Sequence, residues 1–166
     1  MTAPRDDSPT SRLSLTTPAF RDGETIPVHH TCDGEDSSPP LAWTGVPVAT
    51  RAFALICDDP DAPRGTWLHW LIWNLPADAV ELGQGVPPSP ELPSGARQGL
   101  NDSGDLGYGG PCPPPGKPHR YFFRLFALDT ALNLPPGTNR SELELAMAGH
   151  ILAQGTVMGT YERRKR

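Results

Sequence analysis

The sequence predicts a mainly β protein: an antiparallel sandwich of two sheets, with one helix near the C-terminus and long loops rich in proline and glycine. Three observations support this class. Short apolar runs with the alternation or length of strands recur along the 166 residues, and only one segment has helical periodicity. Strands also do not alternate with helices as they do in parallel α/β folds. The 21 prolines and 17 glycines predict the long loops.

A chain of this length fits one domain, whose core is large enough to need no disulfide or metal. The formal net charge is −5, and because residues 163–166 are all basic the rest of the chain is more acidic still. An acidic body argues against nucleic-acid binding, which depends on lysine and arginine contacts to phosphates. We expect a flexible N-terminal segment (residues 1–12), one domain (13–162) and a solvated basic tail (163–166).

Residues 1–12 are polar and lack the apolar segment of a secretory signal, and no later stretch has the length and apolarity of a membrane span. The sequence therefore predicts a cytoplasmic protein. Three cysteines without a C-x-x-C spacing predict separate thiols rather than a disulfide framework in such a reducing compartment. A link between Cys32 and Cys112 stays open as an alternative, because both lie in loops whose proximity the sequence does not give.

A zinc site is the alternative use of these cysteines. Its candidate ligands would be Cys32, Cys57, Cys112, His69 and His119, but they lack the paired short spacings of zinc sites, so we expect neither a metal nor another cofactor. Cys57 ends an apolar run, and an apolar setting raises the pKa of a thiol. It is predicted to be an inert core residue.

The first half of the chain contains three predicted strands separated by turns and loops. Leu13–Thr16 alternates apolar and polar residues as a half-buried strand does, and Pro18 stops it. After the polar, turn-rich segment 30–40, apolar character returns at Leu41–Trp43. Ala52–Cys57 is continuously apolar, which predicts a strand covered on both faces.

The next predicted strand, Trp67–Asn74, carries a histidine among tryptophans. A period of two puts one set of side chains on one face and a second set on the other: Trp67, His69, Leu71 and Trp73, against Leu68, Trp70 and Ile72. His69 is therefore predicted to point into a tryptophan-lined surface. The alternative is an ordinary core histidine whose hydrogen bonds are satisfied.

Two proline-rich connections, residues 83–95 and 99–118, are too irregular for helix or sheet, and loops of the second one's length are typically functional or disordered. An aromatic strand, His119–Leu128, follows. Alternation places one set of its side chains on a common face: His119, Tyr121, Phe123 and Leu125. Arg120 and Phe122 take the other face, where Arg120 is expected to pair with a carboxylate.

One helix is predicted near the end of the chain. Ser141 and Glu144 have the spacing of a capping box, and Gly155 is the expected C-terminal stop. Apolar residues at helical spacing run through the segment: Leu143, Leu145, Met147, Ala148, Ile151 and Leu152. His150 is assigned to this helix, and Thr156–Tyr161 is predicted to be a closing strand.

Two stretches of loop followed by strand carry most of the polar chemistry. In the first, Asp58–Pro63 leads to His69-Trp70; in the second, Gly109–Cys112 leads to His119–Tyr121. The proline- and glycine-rich parts cannot lie inside a ladder, so each histidine is delivered to the rim of a β core. Turn building alone is the alternative for the aspartates, since each can cap its own backbone. The convergence of two histidines and a tyrosine favours a site.

These motifs, D-P-D-A-P, H-W and G-P-x-P-P-x-G-x-x-H-R-Y, resemble those of the phosphatidylethanolamine-binding proteins. The run Gly107–Pro114 is similar to their bacterial branch, the Raf kinase inhibitor-like proteins, and the resemblance extends from Thr31 to Arg163. It implies a Greek-key β-sandwich with a small anion-binding pocket. The residues that it implies as lining are Asp59, His69, His119 and Tyr121, with walls shaped by Pro63, Trp67, Gly110 and Pro111.

The chemistry of these residues fits an anion, with one exception. Imidazole and phenol hydrogens, and backbone N–H groups in a glycine turn, are donors suited to phosphate oxygens. Asp59 does not fit an anion directly. It must accept a hydrogen bond from a histidine, meet a ligand ammonium group, or be protonated.

We therefore predict a non-catalytic domain that binds phosphate or a phospholipid headgroup such as that of phosphatidylethanolamine. It would modulate or inhibit a partner protein, with kinases and proteases as the candidate classes, and bacterial relatives make a homodimer plausible. Leu68 stands where mammalian members have a second histidine, so their kinase regulation is not carried over. The alternatives are an interaction protein with a vestigial pocket and, less favoured, a small hydrolase, for which no G-x-S-x-G motif is present.

Overall fold

The computed structural model describes residues 11–164 and contains nine strands, one α-helix and one short 3-10 helix in that range. The strands are β1 Ser11–Arg12, β2 Ser14–Thr16, β3 Leu41–Thr44, β4 Ala52–Asp59, β5 Trp67–Pro76, β6 Glu81–Leu82, β7 Arg97–Gln98, β8 His119–Leu128 and β9 Ile151–Tyr161. The α-helix, α1, spans Arg140–Met147, and the 3-10 helix spans Val28–His30. None of the described helices has the length and apolar character needed to cross a membrane.

The strands form two sheets, as the sequence predicts. The larger has six strands in the order β1-β9-β8-β4-β5-β7, and the smaller has three in the order β2-β3-β6. Every pairing between these strands is antiparallel except that of β1 with β9. β4 lies in the large sheet between β5 and β8, and all of its residues are buried. The prediction that this strand is covered on both faces is confirmed.

Two hydrophobic clusters cover the faces of the large sheet. Between the sheets, Trp43 from the small sheet packs in one cluster with Phe53, Phe123 and other apolar side chains of the large sheet. On the opposite face, Leu143 and Met147 of α1 pack with apolar side chains of β4 and β5. The large sheet is thus a middle layer, and its strand ends carry the polar loops.

A β-bulge in β5 corrects the predicted faces of this strand. Cys57 pairs with Trp70 and Asp58 pairs with Leu68, so His69 is an extra residue in the ladder. Beyond the bulge the alternation is displaced by one. Leu71 and Trp73, predicted to share the face of His69, pack beneath α1 instead. Trp70 and Ile72, predicted to lie on the opposite face, enter the core between the sheets.

Strand β8 has the predicted alternation. Its inward residues Tyr121, Phe123 and Leu125 belong to the core between the sheets. Arg120 lies on the other face and binds the carboxylate of Asp61 through Nε and Nη2, each at 2.9 Å. The expected pairing of Arg120 with a carboxylate is confirmed, and it ties β8 to the loop after β4.

The helix is shorter than predicted, and its N-cap is Asn139 rather than Ser141. The Asn139 side chain accepts from the backbone N–H of Glu142 at 2.9 Å. α1 ends at Met147, and Gly149 follows with a φ of 81° that suits glycine. The helical spacing that continues to Ile151 was misleading, because that residue begins β9.

The predicted helix stop at Gly155 is wrong for the same reason. Gly155 lies inside β9, paired with Leu125, and a Cβ on it would meet the backbone of Leu13. It therefore permits a close approach between chain segments. His150 does not lie on the helix. Its Nδ1 pairs with the Asp129 carboxylate at 2.7 Å.

The ends of the chain differ from the predicted boundaries where they can be followed. Ser11 and Arg12 already form β1, and residues 1–10 of the predicted flexible segment lie outside the described residues, as do residues 165–166 of the tail. Arg163 is not simply solvated. Its guanidinium binds Asp33 at 3.1 Å, and its carbonyl accepts from the N–H of Gly116.

Candidate functional site

The predicted site residues gather around one cavity of about 270 Å³, at the end of the large sheet where β4 stops and β5 and β8 begin. The residues that line it are Asp59, Ala62, Pro63, Trp67, His69, Ser103, Gly110, Cys112, Pro113, Pro114, His119 and Tyr121. Of the residues proposed from the sequence, only Pro111 is not a lining residue. It is buried and directly follows Gly110 in the chain.

Asp59 and His119 form a buried pair. The Asp59 Oδ2 and His119 Nδ1 atoms are 2.7 Å apart, and the other carboxylate oxygen accepts from the N–H of Asp61 at 2.7 Å. Of the three roles left open for Asp59, the structure has the first, acceptance from a histidine. The contact fixes a proton on Nδ1, so Nε2 is the ring nitrogen left to meet a ligand.

His69 has the same arrangement with a different partner. Its Nδ1 donates to the backbone carbonyl of Gly109, and its ring stands edge-on to Tyr121, with ring centroids 5.2 Å apart. Burial lowers the pKa of His69, and the bond to Gly109 and the charge of Asp59 only partly oppose this effect. A neutral imidazole results, and its Nε2 is an acceptor rather than a donor.

Tyr121 supplies a hydroxyl at the same cavity. The pKa of Tyr121 is raised far above the ordinary value for tyrosine, mainly by burial and next by the negative charge of Asp59. The hydroxyl therefore stays protonated. It is a donor available to a ligand.

The loop of residues 109–112, called the glycine loop below, forms part of the cavity wall and is hydrogen-bonded to the segment after the 3-10 helix. The Asp36 carboxylate accepts from the N–H of Gly110 at 2.8 Å, and the Pro111 carbonyl accepts from the N–H of Cys32 at 3.1 Å. The hydroxyl of Tyr108 donates to the His30 carbonyl at 2.6 Å. These bonds hold the loop in place for its own contact with His69.

We expect Gly110→Ala to lower the free energy of unfolding by about 1 to 3 kcal/mol and to weaken ligand binding, because the new Cβ would overlap the His30 carbonyl and the Asp36 carboxylate. Denaturant unfolding with phosphate titration measures both effects. Gly83→Ala is the matched control, since its Cβ would meet nothing within 4 Å. Equal stability of the two variants would contradict the packing described for this loop.

A disulfide joins Cys32 to Cys112, which corrects the prediction of separate thiols. The two residues are 80 positions apart, and the loops that carry them meet only in the folded chain, so the spacing of the cysteines gave no sign of the bond. Cys57 is free and buried, and burial raises the pKa of its thiol well above the ordinary value. Its interpretation as an inert core residue is confirmed.

Several residues of the site were missed by the sequence analysis. Ser103 and Cys112 line the cavity, and Asp36 holds the glycine loop from a distant part of the chain. Asp36 also has a positive φ of 57°, a left-handed conformation that aspartate tolerates better than most residues. No local pattern distinguishes these side chains from ordinary loop residues, since their roles depend on tertiary contacts.

A larger cleft, of about 690 Å³, lies on the opposite face of the large sheet beside α1. Its floor is the buried carboxylate of Asp58, which binds Arg124 at 3.1 Å and Arg140 at 2.8 Å. Arg140 also binds Glu144 at 3.0 Å. Because carboxylates neutralise both arginines, this cleft is less suited to an anion than the cavity lined by His69 and His119, called the histidine cavity below. Within residues 11–164, no three His, Cys, Asp or Glu side chains are placed to hold a metal.

The sequence profile of the family described as phosphatidylethanolamine-binding protein matches residues 16–162. Among curated proteins, a UPF0098 protein of Methanothermobacter thermautotrophicus is 54% identical over 151 residues, which cover 91% of this chain and 99% of the relative. A UPF0098 protein of Aquifex aeolicus is 52% identical, with 87% of this chain and 85% of the relative covered.

Two solved structures have the same fold. A homolog of phosphatidylethanolamine-binding protein from Chlamydia trachomatis superposes with a TM-score of 0.84 and 39% identity, covering 93% of this chain and 99% of that one. YbcL of E. coli, described as a new member of the mammalian PEBP family, gives a TM-score of 0.85 and 34% identity over 93% of this chain and 100% of that one.

Proposed function

Because the chain belongs to the phosphatidylethanolamine-binding protein family, we propose that its histidine cavity binds a small anion without catalysing its conversion: phosphate or a phosphorylated headgroup. The observation that carries the proposal is that two histidines line one cavity and each has its Nδ1 atom in a hydrogen bond. His119 bonds to Asp59, and His69 bonds to the carbonyl of Gly109. Both Nε2 atoms and the Tyr121 hydroxyl are then left for one ligand. A cavity of about 270 Å³ has room for a headgroup rather than for a whole lipid.

The protonation of the two rings decides how an anion binds. With Nδ1 protonated, a neutral ring presents an acceptor at Nε2, and only an imidazolium presents a donor there. At His69, an ionised oxyanion therefore requires proton uptake by the ring, whereas a phosphate that keeps its own proton can donate to the Nε2 lone pair. The Tyr121 hydroxyl donates in either case.

These requirements predict a pH dependence. The pKa of His69 is lowered in the free protein, and an anion that favours the imidazolium raises it in the complex. Binding is therefore strongest below the pKa of the free protein and is lost as pH rises from there through the pKa of the complex. Sulfate, which stays fully ionised, should bind at least about tenfold more tightly near pH 5.5 than near pH 8. Titration calorimetry in two buffers of different ionisation enthalpy measures both affinity and proton uptake.

The contrast between sulfate and phosphate is the control for this prediction. Phosphate carries an ionisable proton of its own, so its affinity should fall less steeply than that of sulfate over the same pH range. An affinity for sulfate that is the same at both pH values, with no proton uptake, would contradict a role for the histidines in binding the anion.

A comparison of ligands separates free phosphate from a headgroup. Trp67 is an exposed lining residue whose aromatic ring can contact an ammonium group, and Asp59 adds negative charge at the same cavity. These features favour O-phosphorylethanolamine over inorganic phosphate by a few fold. Vesicles containing phosphatidylethanolamine form the third arm, because binding to vesicles without binding to the soluble headgroup would indicate a surface rather than a pocket interaction.

Modulation of a kinase or protease, a cytoplasmic location and a homodimer belong to the same proposal. Modulation of a partner and the homodimer are supported by the family alone. The cytoplasmic location is an expectation from the sequence, and the Cys32–Cys112 disulfide does not support it, since disulfides are rare in reducing compartments. The runner-up is an interaction protein with a vestigial pocket, which predicts partner binding and no heat from any of the anions. A hydrolase has less support, since of the three cysteines one is buried and two are joined as a disulfide.

A further inference from the structure

The disulfide lies at the cavity itself rather than in a remote part of the fold. Cys112 is exposed and lines the cavity, next to Pro113 and Pro114, which also line it. Cys32 belongs to the segment after the 3-10 helix that pins the glycine loop. The bond therefore joins the wall of the cavity to the segment that supports it.

We propose that Cys112 is a thiol–disulfide exchange site, that its co-substrate is an external dithiol reductant, and that the oxidation state of the Cys32–Cys112 pair sets the affinity of the cavity for its anion. The second part rests on the proposed function, and the first does not.

The exchange begins at the exposed sulfur. A thiolate of the dithiol attacks Cys112 Sγ, forming a mixed disulfide, and Cys32 leaves as a thiolate that takes up a proton. The second thiol of the reductant then attacks the reductant sulfur that is bonded to Cys112. This step closes the reductant's own disulfide and releases Cys112 as a thiolate. The chain gains two electrons and two protons, and the dithiol loses the same number.

A cation is placed to assist the last step. Arg163 Nη1 lies 3.9 Å from Cys112 Sγ, and the same guanidinium binds Asp33. A positive charge beside a sulfur stabilises the thiolate form, which makes Cys112 a better leaving group. The side chain of Arg163, predicted to be solvated, thereby acquires a specific position next to the reacting atom.

The disulfide affects the cavity because few hydrogen bonds hold the part of the wall next to Cys112. Hydrogen bonds to the Cys32–Asp36 segment hold Gly110 and Pro111, but the next attachment is the N–H of Gly116 to the carbonyl of Arg163. Without the disulfide, the part of the chain that the structure describes offers backbone hydrogen bonds only on either side of the stretch 112–115, which is then held by the packing of Pro113. Its two lining prolines must then be ordered when a ligand binds, and that ordering weakens binding.

The exchange reaction is tested first, without a ligand. Folded protein is incubated with dithiothreitol, then alkylated and weighed by mass spectrometry. We expect two alkyl groups on the native protein and three after denaturation, since Cys57 is fully buried and serves as an internal control for folding. Reduction that occurs only in denaturant would overturn the exchange site.

Phosphate titration of the oxidised and reduced forms near pH 6 tests the regulation. The reduced form should bind inorganic phosphate about fivefold more weakly, and the double variant Cys32→Ser/Cys112→Ser should match it and not respond to dithiothreitol. Equal affinities of the oxidised and reduced forms would overturn the inference and leave the proposed function intact. Failure of the oxidised protein to bind phosphate, with reduction proceeding normally, would overturn the proposed function and confine the inference to the exchange reaction.

Discussion

Replacing His119 with alanine is expected to weaken phosphate binding about ten- to a hundredfold, the effect of losing a hydrogen bond to a charged group. The substitution removes one of the two ring nitrogens left for the ligand. It also leaves the buried Asp59 carboxylate without its imidazole partner, which adds repulsion toward an anion. Titration calorimetry near pH 6, with the melting temperature of each variant, gives both binding and folding.

His150→Ala is the matched control for this substitution. His150 pairs with Asp129 at 2.7 Å, the same distance as His119 with Asp59, but it is exposed and does not line the cavity. The control should bind phosphate as the unchanged protein does. Asp59→Ala should weaken binding as well, because it removes the group that fixes the His119 ring. If folded His119→Ala bound phosphate as tightly as His150→Ala, the buried pair would be structural only.

Phe123→Ala should have the largest effect on stability, lowering the free energy of unfolding by about 3 to 5 kcal/mol. Its side chain is fully buried in the core between the sheets, and it lies on β8 two residues from Tyr121, on the same face. The cavity it leaves would loosen the strand that carries two of the site residues. Urea unfolding followed by tryptophan fluorescence measures the loss.

The neighbouring residue offers a control that changes the same number of atoms. Phe122 lies on the other face of β8, partly exposed, with Arg124 4.6 Å and Arg120 5.5 Å from its ring centroid. Phe122→Ala removes these cation–π contacts and little core packing, so a loss of about 1 kcal/mol is expected. A larger loss for Phe122→Ala than for Phe123→Ala would reverse the facing of this strand.

The predictable parts of the fold are those decided by local pattern. β4 is a continuous apolar run, and β8 alternates between two faces. The pairing of β8 with its neighbours is uninterrupted from His119 to Ala127, so a period of two assigns its faces correctly. β5 contains the same kind of run, but the extra residue in its ladder depends on its pairing with β4. The helix of Arg140–Met147 was predicted too long, because strand pairing of Ile151 with Leu128 overrides a helical spacing of apolar residues.

The site shows the same division. His69, His119 and Tyr121 were found because each follows a proline- or glycine-rich loop, and Asp59 because it stands in the D-P-D-A-P motif. Together these motifs resemble a known family. Their meeting in one cavity is a property of the folded sheet. The disulfide and the support that Asp36 gives Gly110 join segments far apart in sequence, and no local spacing encodes them.

The central claim is that one anion meets the Nε2 atoms of His69 and His119, and ring nitrogen NMR of the histidines tests it most directly. In a long-range ¹H–¹⁵N spectrum, titration with inorganic phosphate near pH 6 should shift the Nε2 signals of these two residues together, with one dissociation constant. His29 and His150, which do not line the cavity, should stay unchanged and provide the internal reference. Equal shifts of all histidines, or shifts of His29 and His150 alone, would contradict the account.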